Sequence, residues 1–455
     1  MLQEAAATSN SGASRRAAQR APRPGTLAET GLPPLYLADL LAKHLLEQGV
    51  LDLHQLGCKS ALAGSVVQEV CRFLREEGRV EVRGQGTGGA LRFGLTDRGR
   101  ALAQEAFNRD GYSGKAPVTL EEYSTRVREQ ALSKQGIRRD AMMAAFADTV
   151  IAPALLDQLG PGLHSGRAIF IHGHAGTGKS YIARRLMRLL QGEVLVPHAI
   201  LVGGKTIRCY DPAVHQTLED PADTLPTVQL YLEQGHDPRY VRCHRPCVVT
   251  GGELTMERLE LQYDATSHIH LAPVQLLANN GMLVIDDLGR QRMSPTELLN
   301  RWIVPLEERC DFLSLANGYH FSVPFEVALV FSTNLDPLSL ADAAFLRRIG
   351  YKIHFAPLER EAYLAIWQQE CQAQGLPFEQ ALADFTIDEL HVRDRVPLLA
   401  CHPRDILSLA HDQLDYQGLS TPDRKTLSWA WRTYFGDFRD AANAADRNAA
   451  DNRRD

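Results

Sequence analysis

Residues 167–180 read Arg-Ala-Ile-Phe-Ile-His-Gly-His-Ala-Gly-Thr-Gly-Lys-Ser, an apolar run that leads directly into the pattern G-x-x-x-x-G-K-S. Three glycines let the backbone of this pattern curl so that successive N–H groups point at phosphate oxygens: Gly173, Gly176 and Gly178. Lys179 can place its ammonium group against the β- and γ-phosphates, and the Ser180 hydroxyl can bind Mg²⁺. The stretch therefore predicts a P-loop that holds a nucleoside triphosphate.

The residues after the P-loop support this prediction. Residues 181–190 have the apolar spacing of a helix, whose N-terminal end carries a partial positive charge toward a bound anion. The same residues could instead form a glycine-rich turn that binds no ligand. The strand predicted before the turn and the helix predicted after it argue against that interpretation. The predicted nucleotide-binding residues are Gly173, His174, Ala175, Gly176, Thr177, Gly178, Lys179, Ser180 and Tyr181.

Composition and charge describe a globular chain of more than one domain. At 455 residues the chain exceeds one ordinary core, and its 44% hydrophobic and 23% charged residues are usual for a globular protein. No apolar run is long enough to span a membrane, and the first residues lack the apolar segment of a secretory signal. The eight cysteines have no framework spacing. We therefore expect a cytoplasmic protein without membrane insertion.

The N-terminal part of the chain is expected to contain a tail and a small α+β domain. Residues 1–33 are rich in Ala, Ser, Arg and Pro without apolar periodicity, which predicts a disordered tail. Residues 34–110 follow the order helix, helix, helix, hairpin, helix, which resembles a winged-helix domain.

Winged helices often bind DNA, but the charges of this region do not favour DNA. Between Leu35 and Asp110 there are ten Lys or Arg and ten Asp or Glu residues. A DNA-binding module usually has a basic face, because phosphate contacts dominate its affinity. A protein-interaction module is therefore favoured, while Arg83 and Arg92 on the predicted wing keep DNA binding open. The net charge of −6 argues against broad nucleic-acid binding but does not exclude a local basic patch.

Two further segments are expected from local patterns. Residues 111–165 are interpreted as a linker and helices, with an amphipathic helix over 141–159 that is broken near Pro153 and ended by residues 160–162, Gly-Pro-Gly. Residues 438–455 form a polar tail that is predicted to be disordered.

A second short apolar strand, within residues 281–289, ends in two carboxylates. A parallel strand buried on both faces has this composition, and an α/β sheet places ligands at the carboxyl ends of such strands. Asp286 would then hold Mg²⁺, and Asp287 would polarise the attacking water. Alone the pattern also fits an ordinary strand end, but its pairing with a P-loop favours the functional interpretation.

Four polar residues further along the chain complete the candidate set. Asn334 ends an apolar strand and could bind the attacking water or the γ-phosphate, although an Asn before Pro337 also suits a turn. Arg347 and Arg348 could reach the γ-phosphate of a neighbouring subunit or only complement a helix dipole. Arg404 lies in the first turn of a helix, where a cation is disfavoured unless it serves a phosphate.

These landmarks, in this order, resemble the AAA+ ATPases. In that family the strands carry Walker A, Walker B and sensor 1, followed by an arginine finger and a helical lid with sensor 2. The matching positions are residues 173–180, Asp286 with Asp287, Asn334, Arg347 or Arg348, and Arg404. The resemblance implies ATP and Mg²⁺ as ligands, an α/β core over residues 166–357 and a helical lid over 358–437.

Three phrases resemble more narrowly a bacterial group of chaperone-like ATPases associated with Flp-type pilus assembly. They are Asp-Leu-Gly-Arg-Gln at 287–291, Leu-Asn-Arg-Trp-Ile-Val-Pro-Leu-Glu at 299–307 and Phe-Ser-Thr-Asn-Leu-Asp-Pro at 331–337. The resemblance implies a homo-oligomer, such as a hexamer-like ring, and a protein substrate.

The chain departs from the common AAA+ pattern in two respects. Asp287 stands where most AAA+ motors have Glu, and its shorter side chain favours slower or gated hydrolysis. The long distance between the two Walker motifs implies an insertion near residues 203–265. This insertion contains Cys209, His236, Cys243, His244 and Cys247, whose spacing favours buried thiols over a zinc site. No clear pore loop is present, which argues against polypeptide threading.

Three functions remain open. The favoured one is an oligomeric AAA+ ATPase that hydrolyses ATP between subunits and remodels a protein partner. The second is a DNA-associated AAA+ protein of the initiator or helicase-loader kind, which predicts salt-dependent duplex binding by residues 35–110. The third is a nucleotide-gated scaffold with negligible hydrolysis.

Overall fold

A computed structural model describes residues 21–86, 89–134, 136–190, 192–218, 237–340 and 343–436. The predicted tail over 438–455, residues 1–20 of the N-terminal tail and His236 lie outside these ranges. Within the described ranges, no helix has the length and apolar character needed to cross a membrane.

The described part of the chain contains both helices and strands. The helices are α1 Pro34–Gln48, α2 Leu53–Ser60, α3 Gly64–Glu76, α4 Asp97–Arg109, α5 Leu120–Glu129, α6 Arg139–Ala145, α7 Pro153–Ser165, α8 Lys179–Leu186, α9 Val274–Leu277, α10 Pro295–Arg301, α11 Ile303–Glu308, α12 Pro337–Leu340, α13 Ala343–Arg348, α14 Arg360–Ala373, α15 Gln380–Phe385, α16 Val392–Asp394, α17 Cys401–Gln417 and α18 Arg424–Phe435. The strands are β1 Leu51–Asp52, β2 Val80–Gln85, β3 Leu91–Leu95, β4 Val118–Thr119, β5 Ile169–Gly173, β6 Glu193–Pro197, β7 Ala199–Val202, β8 Lys205–Arg208, β9 Tyr240–His244, β10 Cys247–Thr250, β11 Gln262–Asp264, β12 Ile269–Leu271, β13 Met282–Ile285, β14 Cys310–Ser314, β15 His320–Pro324, β16 Ala328–Thr333 and β17 Tyr351–Phe355.

The P-loop strand belongs to a five-stranded sheet with the order β10-β13-β16-β5-β17. Strand β5 pairs in parallel with β16 on one side and with β17 on the other. The apolar residues of β5, β13 and β16 are buried, as expected for strands covered on both faces. The chain therefore has an α/β fold with a P-loop and a helical C-terminal region, as the sequence predicted.

The described chain consists of two compact units. The first contains the described residues up to Gly136, with Leu190–Val284 and Gln291–Leu329. The second contains Ile137–Leu189, Ile285–Arg290 and the described residues from Val330 onward. The P-loop, the carboxylates at 286 and 287 and the C-terminal helices all belong to the second unit.

The N-terminal part of the first unit has the local elements that the sequence predicts. Helices α1 to α4 and the antiparallel sheet β1-β3-β2 surround a core of buried apolar residues. An Asp52–Gln55 capping box starts α2, and Thr96 caps α4. The predicted helices and hairpin of this region are thus confirmed as elements, whereas their winged-helix character stays a prediction.

Residues 21–33 differ from the disordered tail predicted to reach residue 33. Ala21 and Leu32 are buried, and Ala28–Thr30 form a 3-10 turn. The guanidinium of Arg23 donates to the carbonyl oxygen of Leu62. Composition alone misses this segment because its contacts are made with residues that are distant in sequence.

The remainder of the first unit contains the predicted insertion. A second five-stranded sheet has the order β11-β12-β8-β7-β4, and two antiparallel pairs, β6 with β9 and β14 with β15, lie outside it. A core of apolar residues joins β7, β8 and the β14–β15 hairpin. Four strands of this sheet, β7, β8, β11 and β12, lie between the two Walker motifs, whereas β4 precedes the P-loop in the sequence.

Helix α7 ends later than the sequence pattern predicted for the helix in this segment. It runs through Pro161 to Ser165, although the sequence pattern predicted an end at residues 160–162. Gly162 lets the helix pack closely against strands β5 and β17, because a Cβ at this position would lie 2.9 Å from the side chain of Ile169 and 3.0 Å from that of Tyr351. The glycine thus serves helix–sheet contact and not helix termination.

The C-terminal helices α14 to α18 enclose a core of their own. Tyr363, Trp367 and Trp431 are buried there, with a π-helical turn at Thr386–His391. The hydroxyl of Tyr363 and the Nε2 atom of His391 lie 2.9 Å apart. This core holds the start of α17, which reaches the P-loop.

Candidate functional site: the P-loop and its carboxylates

The P-loop leaves β5 in a backbone conformation that requires glycine. Gly173, Gly176 and Gly178 have φ values of 143°, 82° and 90°. Side chains of L-residues rarely adopt these values. A Cβ at Gly173 would also lie 2.2 Å from the carbonyl oxygen of Phe355 in β17. The first glycine is therefore required both by backbone conformation and by the close approach of β17.

The second glycine of the loop contacts the start of helix α17. The backbone N–H of Cys401 donates to the carbonyl oxygen of Gly176, with 3.1 Å between nitrogen and oxygen. A Cβ at Gly176 would lie 2.5 Å from Sγ of Cys401 and 3.5 Å from Leu399. The C-terminal helical region thus fixes the turn of the P-loop through backbone and side-chain contacts.

Lys179 is the first residue of α8 and is buried. Its Nζ donates to the carbonyl oxygens of Gly173, at 2.9 Å, and His174, at 2.7 Å. Burial lowers the pKa of this ammonium group, while the charges of Asp287 and Asp286 act in the opposite direction. The cation therefore lies inside the loop with two carboxylates nearby, where its charge is available to a phosphate.

Ser180 and Asp286 lie side by side. The hydroxyl of Ser180 donates to Oδ1 of Asp286, with 2.9 Å between the oxygens. The pair joins two motifs that are far apart in the sequence but share the edge of one sheet. Hydroxyl and carboxylate oxygens are ligands that Mg²⁺ prefers, so these two residues fit the ion that the sequence predicts for them. The glycine turn likewise fits a phosphate. Side chains at Gly173 and Gly176 would meet neighbouring atoms, so these positions remain without a Cβ and leave the backbone open to a ligand.

Asp287 has a left-handed backbone with φ of 49°. Aspartate tolerates this region better than most residues. Its Oδ1 accepts a hydrogen bond from Nδ2 of Asn334, at 3.2 Å. The next residue, Leu288, forms two hydrogen bonds with the end of β16. Its backbone N–H donates to the carbonyl oxygen of Ser332, and its carbonyl oxygen accepts from the hydroxyl of Thr333, each at 2.8 Å. Strand β16 therefore fixes the carboxylate at 287.

The three candidate arginines lie at different places. Arg347 is exposed and Arg348 half-buried at the end of α13. Arg404 lies in the first turn of α17, and its guanidinium pairs with Asp405 at 2.8 Å. The helix that carries Arg404 thus contacts the P-loop through Cys401, whereas the Arg404 side chain is bound to its neighbour in the chain.

Tyr181 lies just after Ser180 and is 55% exposed. Its hydroxyl accepts a hydrogen bond from Nη1 of Arg185, at 2.8 Å, and the guanidinium carbon of Arg185 lies 5.7 Å from the centre of the ring. Arg185 also pairs with Asp148. This arrangement holds an exposed aromatic ring beside the P-loop.

The cysteines of the insertion do not gather around a metal position. Among the described residues, no group of three or more His, Cys, Asp or Glu side chains could hold a metal ion. Cys209 and Cys243 are buried, and burial raises the pKa of each thiol to about 12. These two thiols therefore lie in the interior of the first unit.

The site also includes residues without a local sequence signal. Cys401 contacts Gly176, and Thr333 holds Leu288 after the carboxylates. Both are ordinary residues at an element end, and only the alignment of β16 and α17 with β5 gives them a role.

The fold and the site together define a P-loop α/β protein with a paired serine and aspartate beside the loop lysine. A family model described as "Domain of unknown function (DUF8689)" matches residues 359–433, which include α14 to α17 and most of α18. No curated protein matches the chain.

Solved structures that are similar to this chain include the Holliday junction branch migration motor RuvB from Thermotoga maritima. That structure is 12% identical with a TM-score of 0.34, covering 72% of this chain and 73% of its own. A mutant of the same RuvB is 10% identical with a TM-score of 0.39, covering 63% and 71%. NtrX from Brucella abortus is 11% identical with a TM-score of 0.34, covering 70% of this chain and 56% of its own. These values assign no activity to the chain.

Proposed function

We propose that this protein is an AAA+ ATPase that binds ATP with Mg²⁺ at the P-loop and hydrolyses it. The observation that carries the proposal is the hydrogen bond between Ser180 and Asp286, at 2.9 Å, beside the buried Lys179. A phosphate-binding turn, a cation and two oxygen ligands thus meet at one sheet edge, as phosphoryl transfer requires.

Each residue of the site has a role in this proposal. Lys179 would exchange its two loop carbonyls for phosphate oxygens. Ser180 and Asp286 would hold Mg²⁺, which neutralises charge that develops on the phosphates. Asp287, oriented by Asn334, would accept a proton from the attacking water. The proposal thus assigns phosphate binding to the loop and proton transfer to the strand ends.

We further propose that the active unit is a homo-oligomer, such as a hexamer-like ring, with an arginine supplied by a neighbouring subunit. Arg347 is the stronger candidate, since its side chain is exposed whereas that of Arg348 is half-buried. An arginine that reaches the γ-phosphate contributes on the order of 10³-fold or more in rate. Hydrolysis would drive the remodelling of a protein partner, with a pilus-related role as the narrower possibility.

The test is light-scattering mass with and without ATP, together with phosphate release, for wild type and the Arg347→Ala, Arg348→Ala and Lys179→Ala variants. Assembly on ATP, with turnover lost in one arginine variant that still binds ATP, supports the shared site. Lys179→Ala is the control that should lose binding itself. A monomer that binds ATP and releases no phosphate would instead support a nucleotide-gated scaffold.

The DNA-associated alternative has its own test. Two exposed wing residues, Arg83 and Arg92, are in contact with Glu81 and with the carbonyl oxygen of Val50. Duplex binding that weakens steeply with salt and is lost in the Arg83→Ala, Arg92→Ala double variant would favour this alternative over a protein partner.

A further inference from the structure

The first unit contains a cavity of about 1020 Å³ that the P-loop site does not use. Its walls come from α1, β1, α2, the segment at residues 112–115, His198 and the end of β8 with the residues that follow. These segments are separate in the sequence and meet only in the folded unit. The volume lies at the upper end of the roughly 300–1,000 Å³ that is usual for small-molecule sites.

Three cationic side chains line this cavity: Lys59, Lys115 and Arg208. The ammonium group of Lys115 is fixed at the wall, because it donates to the carbonyl oxygen of Cys58 at 2.6 Å. Arg208 is exposed at the end of β8. Within the described ranges, neither Arg208 nor Lys59 forms a side-chain hydrogen bond or an ion pair. Two of the three charges are therefore available to a ligand.

The carboxylates of the wall do not neutralise these cations. Oδ1 of Asp211 accepts from the backbone N–H of Ala213 at 2.9 Å, and Oε1 of Glu47 accepts from the hydroxyl of Ser113 at 2.8 Å. Neither carboxylate forms an ion pair with a wall cation in the described structure. Three cations against two carboxylates give the charged side chains of the wall a sum of +1, and the cations remain unpaired with these carboxylates.

The titration behaviour of the wall agrees with an excess of positive charge. Burial lowers the pKa of Lys115; Cys58 acts in the opposite direction, and the charges of Lys59 and Arg23 lower this pKa further. The pKa of His198, lowered to about 4 mainly by burial, is lowered further by the charge of Lys115. An anion in the cavity would be attracted by the charges of Lys59, Lys115 and Arg208, whereas His198 is neutral above about pH 4.

An aromatic wall adjoins the cationic one. The ring of Tyr210 meets His198 edge-on at 5.4 Å and stacks on His215 at 5.7 Å. The hydroxyl of Tyr112 donates to the carbonyl oxygen of Lys115 at 2.7 Å, which fixes a second ring in the wall. Two oriented rings provide a surface for the flat or apolar part of a ligand.

We propose that this cavity binds a small phosphorylated molecule that carries an aromatic or apolar group, with its phosphate at Arg208 and Lys59. The guanidinium fork of Arg208 matches the oxygens of a phosphate, and lysine adds a point charge. The site is separate from the P-loop and does not rest on ATP hydrolysis. It gives the N-terminal region a ligand other than a protein or DNA.

The experiment uses the full chain with Lys179→Ala, which removes phosphate binding at the P-loop. The probe is 1-naphthyl phosphate, titrated by fluorescence and by calorimetry. We expect saturable binding at one site, weakened about tenfold or more by Arg208→Ala and by Lys59→Ala, since each removes a charged contact. Arg72→Ala, an exposed arginine on α3, is the matched control and should bind as the parent does.

The outcomes separate the possibilities. Absence of saturable binding, or binding that is unchanged in both cation variants, overturns the proposal. Binding of a hexaglutamate peptide without binding of 1-naphthyl phosphate overturns it in favour of an acidic segment of a protein. If inorganic phosphate binds with the same affinity as 1-naphthyl phosphate, the proposal that the ligand carries an aromatic or apolar group is overturned. Melting curves check the folding of each variant, and ATP turnover of the wild type, measured separately, shows whether the proposed ATPase activity stands or fails independently.

Discussion

The side-chain amide of Asn334 donates a hydrogen bond to Oδ1 of Asp287, with 3.2 Å between nitrogen and oxygen. The two residues follow neighbouring strands at the sheet edge that carries the P-loop. The amide orients the carboxylate, and the Asp287 side chain is exposed, so that water can reach it. We infer that Asn334 is a positioning residue for Asp287, and that both act in hydrolysis and not in nucleotide binding.

The first prediction concerns Asp287. Asp287→Asn keeps the size of the side chain and tolerates the left-handed backbone, but it removes the proton acceptor. We expect ATP affinity close to that of the wild type and phosphate release lower by about 10²-fold or more. Calorimetry gives the affinity and a phosphate assay gives the rate. Asp412→Asn, at an exposed position on α17, is the control, and wild-type turnover in Asp287→Asn would exclude Asp287 as the base.

The second prediction concerns the exposed Asn334. Asn334→Ala removes the hydrogen bond that orients the Asp287 carboxylate. We expect phosphate release to fall about tenfold, since a charged hydrogen bond is worth roughly 1.5–3 kcal/mol. The melting temperature should not change, because the side chain is exposed. A drop in melting temperature with unchanged turnover would assign Asn334 a structural role instead.

The third prediction concerns the contact between Gly176 and Cys401. Gly176→Ala places a Cβ 2.5 Å from Sγ of Cys401 in a backbone with φ of 82°. We expect loss of ATP binding in this variant. Gly176→Ala combined with Cys401→Ala should recover part of it, because the sulfur is gone while a backbone cost of about 1–2 kcal/mol remains.

Calorimetric titration with ATP measures this recovery, and Cys401→Ala alone is the control. Absence of any recovery in the double variant would show that the backbone conformation of the P-loop, and not the contact with α17, determines the requirement for glycine.

The fourth prediction compares two glycines of the first unit. A Cβ at Gly99 would lie 1.9 Å from the carbonyl oxygen of Arg79, whereas Gly78 has φ of 66° and a Cβ there would meet no atom within 4 Å. Gly78→Ala should cost about 1–2 kcal/mol of unfolding free energy through backbone strain alone. Gly99→Ala must displace backbone and should cost more. Scanning calorimetry measures both, and equal melting temperatures would contradict the difference.

The fifth prediction concerns the pH dependence of stability. Burial lowers the pKa of His198 to about 4, and the charge of Lys115 acts in the same direction. In an unfolded chain, histidine has a pKa of about 6.5. Between these two values the unfolded chain binds a proton that the folded chain excludes. The unfolding free energy should therefore fall as the pH decreases from about 6.5 toward 4, by at most about 1.4 kcal/mol per pH unit.

The measurement is the melting temperature of wild type and His198→Gln between pH 7 and pH 4.5. The variant should lose less stability over this range, although burial also lowers the pKa of His44, His215 and His391, so that part of the slope remains. The control is His411→Gln, at a partly exposed position on α17. Identical slopes for wild type and His198→Gln would show that His198 gains a proton in the folded protein.

Much of the fold follows from local patterns. Strands β5 and β13 lie within the apolar stretches that predict them, β16 ends just before Asn334, and the N-terminal helices and hairpin follow the predicted order. The end of α7 could not be predicted in this way. Whether Gly162 ends a helix or lets it approach a sheet depends on Ile169 and Tyr351, which lie elsewhere in the sequence.

The P-loop can be predicted from the amino-acid sequence alone, because its glycines, lysine and serine lie close together in the chain and their backbone requirements are local. It also placed carboxylates and an amide at the ends of apolar strands. The contacts of Ser180 with Asp286, of Asn334 with Asp287 and of Cys401 with the loop become visible only in the folded chain. The same is true of the cavity with Lys59 and Arg208. Strand order and helix placement bring together residues that are far apart in the sequence, and the distance along the chain does not indicate which of them will be in contact.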